Sequence, residues 1–259
     1  MFINNFDPVA FEFLSFEIRW YSLAYILGIL AGWTISKKYL IRDTNLFKSF
    51  DDYITYLIVA IILGGRLGYV LFYNFEYYIN NFLDIFKIWQ GGMSFHGALL
   101  GIVLITIWFA KKEKLNSFQL LDIIAVVAPI GIFFGRIANY INSELYGIVT
   151  NVPWAVKFLK VDNFYRHPSQ IYEALLEGLV LFILMLFIYL RKNYKTGMCS
   201  YTFLIFYGIF RIFSEIFREP DTQIGYLFGL FSMGTLLSIF MASMGLFLYF
   251  YFQRYEKKT

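Results

Sequence analysis

Arginines, glutamates and a histidine inside long apolar stretches are the residues of this sequence that could do chemistry. Arg136, Arg211 and His96 each lie in such a stretch. A charged side chain near the bilayer centre costs at least about 2.5–3.5 kcal/mol on insertion scales, so arginines in these positions point to a function. The planar guanidinium group matches phosphate and carboxylate oxygens. Two such groups from different helices therefore predict an anion-binding cavity, and the phosphate of a lipid head group is its nearest ligand.

Helical spacing places further polar side chains beside these arginines. Tyr207, Arg211 and Glu215 follow each other at intervals of four, so they share one helix face and the last two are close enough to pair. Arg136 and Asn139, three residues apart, share a face of another helix. Glycines flank several of the polar residues, and small residues let helices approach each other closely. The elements that position these polar side chains are therefore expected to be closely packed helices.

The composition is that of a membrane protein. The chain of 259 residues is 59% apolar and 15% charged, whereas soluble domains carry about 45–50% apolar and about 25% charged residues. The single cysteine, Cys199, provides neither an intrachain disulfide nor a thiolate metal site. The net charge of +4 comes from short basic clusters between apolar runs, which disfavours nucleic-acid binding. We expect a partner in the lipid bilayer and no nucleic acid, metal or organic cofactor.

Seven apolar runs approach the length of about 20 residues that a helix needs to cross a bilayer. They predict an all-α, polytopic membrane protein with spans at 20–36, 53–73, 93–110, 118–139, 171–190, 198–217 and 226–252. We expect one membrane-embedded domain over residues 1–259, with two longer outer loops at 74–92 and 140–170. The first run lacks the basic start and the cleavage site of a signal peptide, so we interpret it as a retained helix.

The distribution of basic residues predicts the orientation of the chain. Thirteen lysines and arginines follow the first, third, fifth and seventh spans, whereas six lie in the segments on the opposite side. Cytoplasmic loops carry the basic excess, so the N-terminus is expected outside and the C-terminus in the cytoplasm. With this orientation the intramembrane polar residues fall toward the outer side. Asp122 is the exception, and we expect its side chain to reach the inner interface.

Alternative interpretations stay open at this point. Arg136 and Arg211 could hold helices together without a catalytic role, and His96 could bond a carbonyl group. Glu173 and Glu177 are expected to seat the fifth span or to contact a loop. A transporter or proton channel would need polar groups that continue to the inner side, where Asp122 stands alone. A purely structural membrane protein would tolerate loss of Arg211.

Several ordered motifs resemble one known family, the bacterial prolipoprotein diacylglyceryl transferases. The signature stretch is GRIANYINSELYG at 135–147. Matching stretches around it are FDP at 6–8, RWYSLAY at 19–25, GGRLGYVLFYN at 64–74, GGMSFHGALLG at 91–101, RHPSQIYEA at 166–174 and YGIFRIFSEIFREPD at 207–221. The resemblance covers nearly the whole chain in order. A set of long motifs in a fixed order is far more specific than a single short pattern.

The resemblance implies an enzyme. It implies that a diacylglyceryl group moves from phosphatidylglycerol to the lipobox cysteine thiol in the signal peptide of a bacterial prolipoprotein, with formation of a thioether and release of glycerol phosphate. It also implies seven spans in the bacterial cytoplasmic (inner) membrane, with the active site toward the periplasmic or extracytoplasmic side. The count of basic residues predicts the same side independently.

Site roles follow as hypotheses. Arg136 and Arg211 would bind the phosphate and stabilise the charge that develops as the carbon–oxygen bond breaks. Asn139 and Glu144 would orient Arg136 and the head-group hydroxyls, and Glu215 would hold Arg211. His96 would accept the thiol proton or position the substrate. The residues expected to complete the substrate-binding pocket are Asn139, Tyr21, Arg66, Tyr207 and Gly97.

Overall fold

The computed structural model describes residues 1–13, 16–88, 91–220, 226–227 and 231–256, with the backbone alone at positions 13, 16, 95, 96, 226, 227, 255 and 256. Within these ranges the chain is mostly helical. Its helices are α1 (Trp20–Ile35), α2 (Thr44–Phe72), α3 (Phe75–Asn80), α4 (Phe95–Glu113), α5 (Ser117–Asn142), α6 (Ser169–Glu173), α7 (Leu181–Tyr189), α8 (Met198–Glu215) and α9 (Met233–Glu256). Wider π-helical turns continue α1 over Ser36–Leu40 and join α6 to α7 over Ala174–Val180.

Several helices have the length and composition of membrane spans. Among the described residues, four are long and apolar enough to cross a membrane: Thr44–Phe72, Ser117–Asn142, Ser169–Tyr189 and Met233–Arg254. The third of these is one continuous rod built from α6, the π-helical turns and α7. The coarse prediction of a helical, multi-pass membrane protein is therefore confirmed.

Two predicted span boundaries are wrong. Helix α2 begins at Thr44 rather than at residue 53, because the Asp43 side chain accepts a hydrogen bond of 2.7 Å from the backbone N–H of Leu46 and caps the helix there. The last helix begins at Met233 rather than at residue 226. Residues Tyr226–Leu227 pair instead with Phe231–Ser232 as two short antiparallel strands, and residues 228–230 lie outside the described part of the chain.

The chain forms two compact units, residues 37–121 and residues 1–36 with 122–259. In the first unit, glycines bring α2 and α4 into backbone contact. A Cβ atom on Gly64 of α2 would lie 2.5 Å from the carbonyl oxygen of Gly97, and one on Gly101 of α4 would lie 2.5 Å from that of Ala60. Real side chains do not approach so closely, so the two helices can pack in this way only without side chains at these positions.

The second unit holds α1 and the helices from α5 onward, together with short strands that the expectation of an all-α fold did not include. Strand β1 (Phe2–Asn4) lies parallel to β4 (Val156–Phe158), which pairs in turn with β5 (Tyr165–Arg166). Strands β2 (Val9–Phe13) and β3 (Phe16–Arg19) form a hairpin before α1. Strands β6 (Tyr226–Leu227) and β7 (Phe231–Ser232) form the pair before α9. Among the described residues, the strands lie before α1, between α5 and α6, and between α8 and α9.

Asp122 lies differently from the prediction. Its side chain is fully buried instead of reaching an interface. It accepts hydrogen bonds from the Tyr194 hydroxyl at 2.5 Å, from the Gly197 backbone N–H at 2.6 Å and from both the backbone and the hydroxyl of Ser200. Backbone N–H groups in the first turn of a helix need acceptors. Asp122 therefore fastens the beginning of α8 to α5.

Candidate active site

Two buried glutamates form the centre of the candidate site. Glu173 ends α6, and Glu177 follows one turn later, so both carboxylates leave the same face of the rod. Both side chains are fully buried. Glu173 bridges two arginines: one carboxylate oxygen lies 2.8 Å from Nε of Arg136, and the other lies 2.8 Å from Nη1 of Arg211. One carboxylate thus joins α5 to α8.

Glu177 closes the arrangement from the other side. Its Oε2 atom lies 3.4 Å from Nη2 of Arg136, and its Oε1 atom lies 3.5 Å from Nη1 of Arg211. Close helix packing makes this geometry possible, because a Cβ atom on Gly178 would lie 2.8 Å from the Cα atom of Phe133 on α5. We call Arg136, Glu173, Glu177, Arg211 and Glu215 the Arg–Glu cluster.

Glu215 is the third carboxylate of the cluster. It lies one turn after Arg211 on α8, and its Oε2 atom is 2.7 Å from Nη2 of that arginine, so the pair expected from the spacing does form. The Ser232 hydroxyl donates a hydrogen bond of 2.9 Å to Oε1 of Glu215. Nη1 of Arg218 lies 3.7 Å from Oε2. Three carboxylates therefore face three guanidinium groups, and paired charges are the form in which ionised groups are buried.

The two central arginines differ in access. The side chain of Arg136 is 16% exposed, twice the 8% of Arg211. The described contacts of Arg136 with the glutamates use its Nε and Nη2 atoms. Among the described residues, no ion pair or hydrogen bond involves its Nη1 atom. A further oxygen ligand would therefore meet the cluster most directly at Arg136.

A second polar group lies one turn further along α5. Asn139 donates hydrogen bonds of 2.8 Å to the Tyr21 hydroxyl and of 3.2 Å to Oε2 of Glu144. Asn142 donates one of 3.3 Å to the other carboxylate oxygen of Glu144. In the described contacts Glu144 therefore binds the amides of α5, and its role in orienting Arg136 stays a prediction.

The loop that carries Glu144 has an unusual backbone. Ser143 and Leu145, on either side of it, have φ angles of +59° and +53°, a left-handed conformation that residues other than glycine rarely adopt. Tertiary contacts hold it: Gln170 donates a hydrogen bond of 2.6 Å to the carbonyl of Glu144, and the Ser169 hydroxyl donates one of 2.9 Å to that of Leu145. Such conformations persist where the surroundings over-determine them, which is typical of functional sites.

Arg166 fixes the end of the same loop. Its guanidinium group donates hydrogen bonds of 3.0 Å to the carbonyl of Gly147, of 2.6 Å to Asp162 and of 3.2 Å to Glu219. The hydrogen bonds from Arg166 hold the pKa of Asp162 below its ordinary value. Burial lowers the pKa of the neighbouring His167. His167 shares a hydrogen bond of 3.1 Å with the Tyr172 hydroxyl.

Arg66, expected in the substrate pocket, binds backbone carbonyls instead. Its five hydrogen bonds go to Asp84, Ile85, Lys87, Gly91 and Gly92, at distances of 2.5–3.3 Å. The guanidinium group also lies over the ring of Tyr78 at 5.2 Å. Since a guanidinium group has five N–H donors, these bonds occupy all of them. Arg66 therefore shapes the segment before α4, and no donor is left for a head group in this conformation.

The remaining predicted residues lie within helices. Tyr207 is buried one turn before Arg211, and its ring stacks on that of Phe203 at 5.5 Å. Gly97 lies in the first turn of α4, where its N–H donates a hydrogen bond of 3.2 Å to the Ser94 hydroxyl that caps the helix. His96 precedes it in the same turn, and its side chain lies outside the described part of the chain.

Sequence reasoning missed the role of Glu173 and Glu177, which were expected to seat a helix or contact a loop. Both instead pair with the two arginines that the sequence singled out. Two carboxylates four residues apart inside an apolar run were the available signal, since intramembrane charges pair with each other. The same rule predicts ion-pair partners for these glutamates as well as for the arginines.

Apolar helices of membrane length around a buried Arg–Glu cluster define an integral membrane protein with a charged interior. The chain belongs to the prolipoprotein diacylglyceryl transferase family, whose model matches residues 8–251. This confirms the family that the motifs predicted.

The sequences of curated relatives match this chain over nearly its full length. The chain is 46% identical to a protein of Rickettsia bellii over 252 residues. The matched region covers 96% of each chain. It is 47% identical to a protein of Geobacter sulfurreducens over 244 residues. That matched region covers 93% of this chain and 94% of the relative. Both relatives are named phosphatidylglycerol–prolipoprotein diacylglyceryl transferase.

Proposed function

We propose that this protein transfers the diacylglyceryl group of phosphatidylglycerol to the lipobox cysteine of prolipoproteins. The observation that carries the proposal is the convergence of Arg136 and Arg211, from α5 and α8, on the shared carboxylate of Glu173. The names of the relatives supply the donor lipid and the acceptor protein. A buried pair of guanidinium groups supplies the chemistry that an anionic donor needs.

The reaction consists of one substitution at carbon. The acceptor thiolate attacks the carbon of the diacylglyceryl group that carries the phosphate ester, a carbon–sulfur bond forms, and the bond between that carbon and the phosphate oxygen breaks. Glycerol phosphate leaves with the electron pair, and the thiol proton passes to a base. The thiolate is the nucleophile, and nearby positive charge lowers the pKa of a thiol.

The arginines act on the leaving group. Nη1 of Arg136 binds a phosphate oxygen, because the described contacts with glutamates use the other two nitrogens. Arg211, with two carboxylates around Nη1 and a third at Nη2, stabilises the cluster and contributes positive charge. Negative charge grows on the phosphate oxygen as the bond breaks, and fixed charges in a dry site stabilise it without reorganisation.

The other site residues take supporting roles in this proposal. Asn139, Tyr21 and Glu144 form a hydrogen-bonded group that suits the head-group hydroxyls. His96 is proposed as the proton acceptor or as a positioning residue because it lies in a family motif. Gly97 lets α4 pack closely against α2. Tyr207 and Glu215 belong to the surroundings of Arg211. For Arg66 the proposal is now a role in shaping the segment before α4.

We also propose seven spans with the N-terminus outside, the C-terminus in the cytoplasm and the site toward the outer side of the bacterial inner membrane. Helices α1, α4 and α8 complete the four long apolar helices. The excess of basic residues after alternate spans supports the orientation. Residues 1–259 act as one transferase domain, since the family match runs through both compact units.

The test is a transfer assay with purified protein in vesicles that contain phosphatidylglycerol. A lipobox peptide should gain one diacylglyceryl group, detected by mass spectrometry, and one glycerol phosphate should be released per thioether formed. Arg136→Lys should lower kcat/KM by about 10- to 100-fold, because a point charge replaces a planar donor set. Arg191→Lys is the matched control, because it makes the same replacement outside the Arg–Glu cluster. Arg191 follows the end of α7 and its guanidinium group lies over the ring of Phe187, so this variant should retain activity. Absence of thioether product with the unaltered protein would refute the function.

A further inference from the structure

The packing of α2 against α4 leaves an open apolar groove of about 320 Å³. Its lining includes Gly64 and Gly101, where the backbones of the two helices meet. Its walls include Leu63 and Leu104, both more than half exposed. Trp108 also lines the groove. The groove is therefore apolar and open to its surroundings, so a hydrocarbon chain can lie in it.

A basic group lies next to Trp108. Nζ of Lys112, one turn further along α4, lies 5.5 Å from the ring centre of Trp108 and 5.2 Å from that of Tyr56. The two rings contact each other edge to face at 5.2 Å. Residues 111–114 read Lys-Lys-Glu-Lys, so three positive charges stand there with one negative charge, Glu113, at 3.6 Å from Lys112.

The dimensions match one leaflet of a bilayer. From Gly101 to Lys112 the helix rises about 16 Å at 1.5 Å per residue, which is roughly half of the ~30 Å hydrocarbon layer. Tyrosine and tryptophan rings mark the boundary between hydrocarbon and head groups. An acyl chain in the groove would therefore place its phosphate at the level of Lys112.

We propose that this groove and Lys112 form a binding site for an anionic membrane phospholipid that is not consumed in the reaction. The acyl chain fills the groove between α2 and α4, and the head-group phosphate binds the Lys112 ammonium group. The site uses none of the residues proposed for phosphate binding or for transfer, so it goes beyond the proposed function. The ligand is a lipid of the bilayer, because it has a hydrocarbon chain for the apolar groove and a phosphate group for Lys112.

Trp108 offers a local probe of this site. The other four tryptophans, Trp20, Trp33, Trp89 and Trp154, are replaced by phenylalanine, and the protein is placed in vesicles of brominated phosphatidylserine or brominated phosphatidylcholine. Bromine quenches Trp108 fluorescence only when the labelled chain lies close to the ring. We expect the anionic lipid to be favoured by about five-fold, since one lysine near the surface adds about 1 kcal/mol to the binding of an anionic lipid.

Two further variants decide the assignment. Lys112→Gln should lower the preference for the anionic lipid to about one, whereas Lys192→Gln, a basic residue outside the groove, should leave it unchanged. Equal quenching by both lipids in the single-tryptophan protein would overturn the proposal, and so would equal effects of the two lysine variants. If the four-fold tryptophan variant does not fold, native mass spectrometry decides the question. The otherwise unaltered protein should retain added phosphatidylserine, and Lys112→Gln should lose it.

Discussion

Replacing Glu173 by glutamine tests whether one carboxylate organises both arginines. The substitution keeps the shape of the side chain and removes its charge. One oxygen remains for one arginine, while the new NH₂ group faces the N–H donors of the other, at a position where the carboxylate lay 2.8 Å away. The variant should therefore misplace Arg136 or Arg211 in a fully buried setting.

The size of the effect follows from burial. Removing one partner of a buried ion pair costs about 3–5 kcal/mol, and about 1.4 kcal/mol corresponds to a factor of ten in rate. Since glutamine retains one acceptor, we expect the lower part of this range. The prediction is a decrease of roughly 100-fold in kcat/KM for transfer to the lipobox peptide.

Glu219→Gln is the matched control. Glu219 also pairs with an arginine, at 3.2 Å from Arg166, but its side chain is 42% exposed. Exposed ion pairs contribute up to about 1 kcal/mol, so this variant should lose less than about five-fold. A double-mutant cycle of Glu173→Gln with Arg136→Gln should give less than the product of the two single losses, because both changes disrupt the same contact.

Two results would refute the reasoning about Glu173. Activity of Glu173→Gln within two-fold of the unaltered protein would show that the bridging carboxylate has no part in turnover. Equal losses in Glu173→Gln and Glu219→Gln would show that burial does not decide the effect. Thermal unfolding followed by intrinsic fluorescence, measured on each variant, separates loss of turnover from loss of the folded protein.

Three shorter predictions concern contacts away from the cluster. Arg66→Lys cannot make five bonds to carbonyl groups, so limited proteolysis should cleave the segment after α3 faster than in the unaltered protein. Asp122→Asn should lower Tm, because hydrogen bonds to a charged acceptor contribute about 1.5–3 kcal/mol each; Asp52→Asn, at an exposed carboxylate, should leave Tm unchanged. The lowered pKa of Asp162 makes its pair with Arg166 stabilising above the ordinary carboxyl range and lost as the pH falls through the lowered value. Asp162→Asn should therefore flatten the acid side of a plot of Tm against pH.

The sequence identified the arginines of the cluster and not all of their partners. Arg211 and Glu215 share one helix, and spacing alone predicts that contact. Glu173 reaches both arginines across helices, and no periodicity in a single sequence records which helices are neighbours. The charge of the arginines within apolar segments indicates only that they have oppositely charged partners.

Arg66 shows a different limit of sequence reasoning. Its type, depth and glycine neighbours resembled those of a ligand-binding arginine. Its actual partners are carbonyl groups of the segment that precedes α4, and every residue carries a carbonyl group. A contact to backbone leaves no residue-type signal, so the distinction between binding a head group and shaping a loop needs coordinates.

The pairing of β1 with β4 has a consequence for biosynthesis. Asn4 is fully buried, its side chain donates a hydrogen bond of 2.7 Å to the carbonyl of Tyr140, and its strand aligns with Phe158. At about 5–20 residues per second, the ribosome needs roughly 10–30 s to supply that partner strand. Strand β1 therefore waits for its pairing partner while the helices between the two strands emerge. A bulky fusion ahead of Met1 should delay this closing step more than one attached after the last helix.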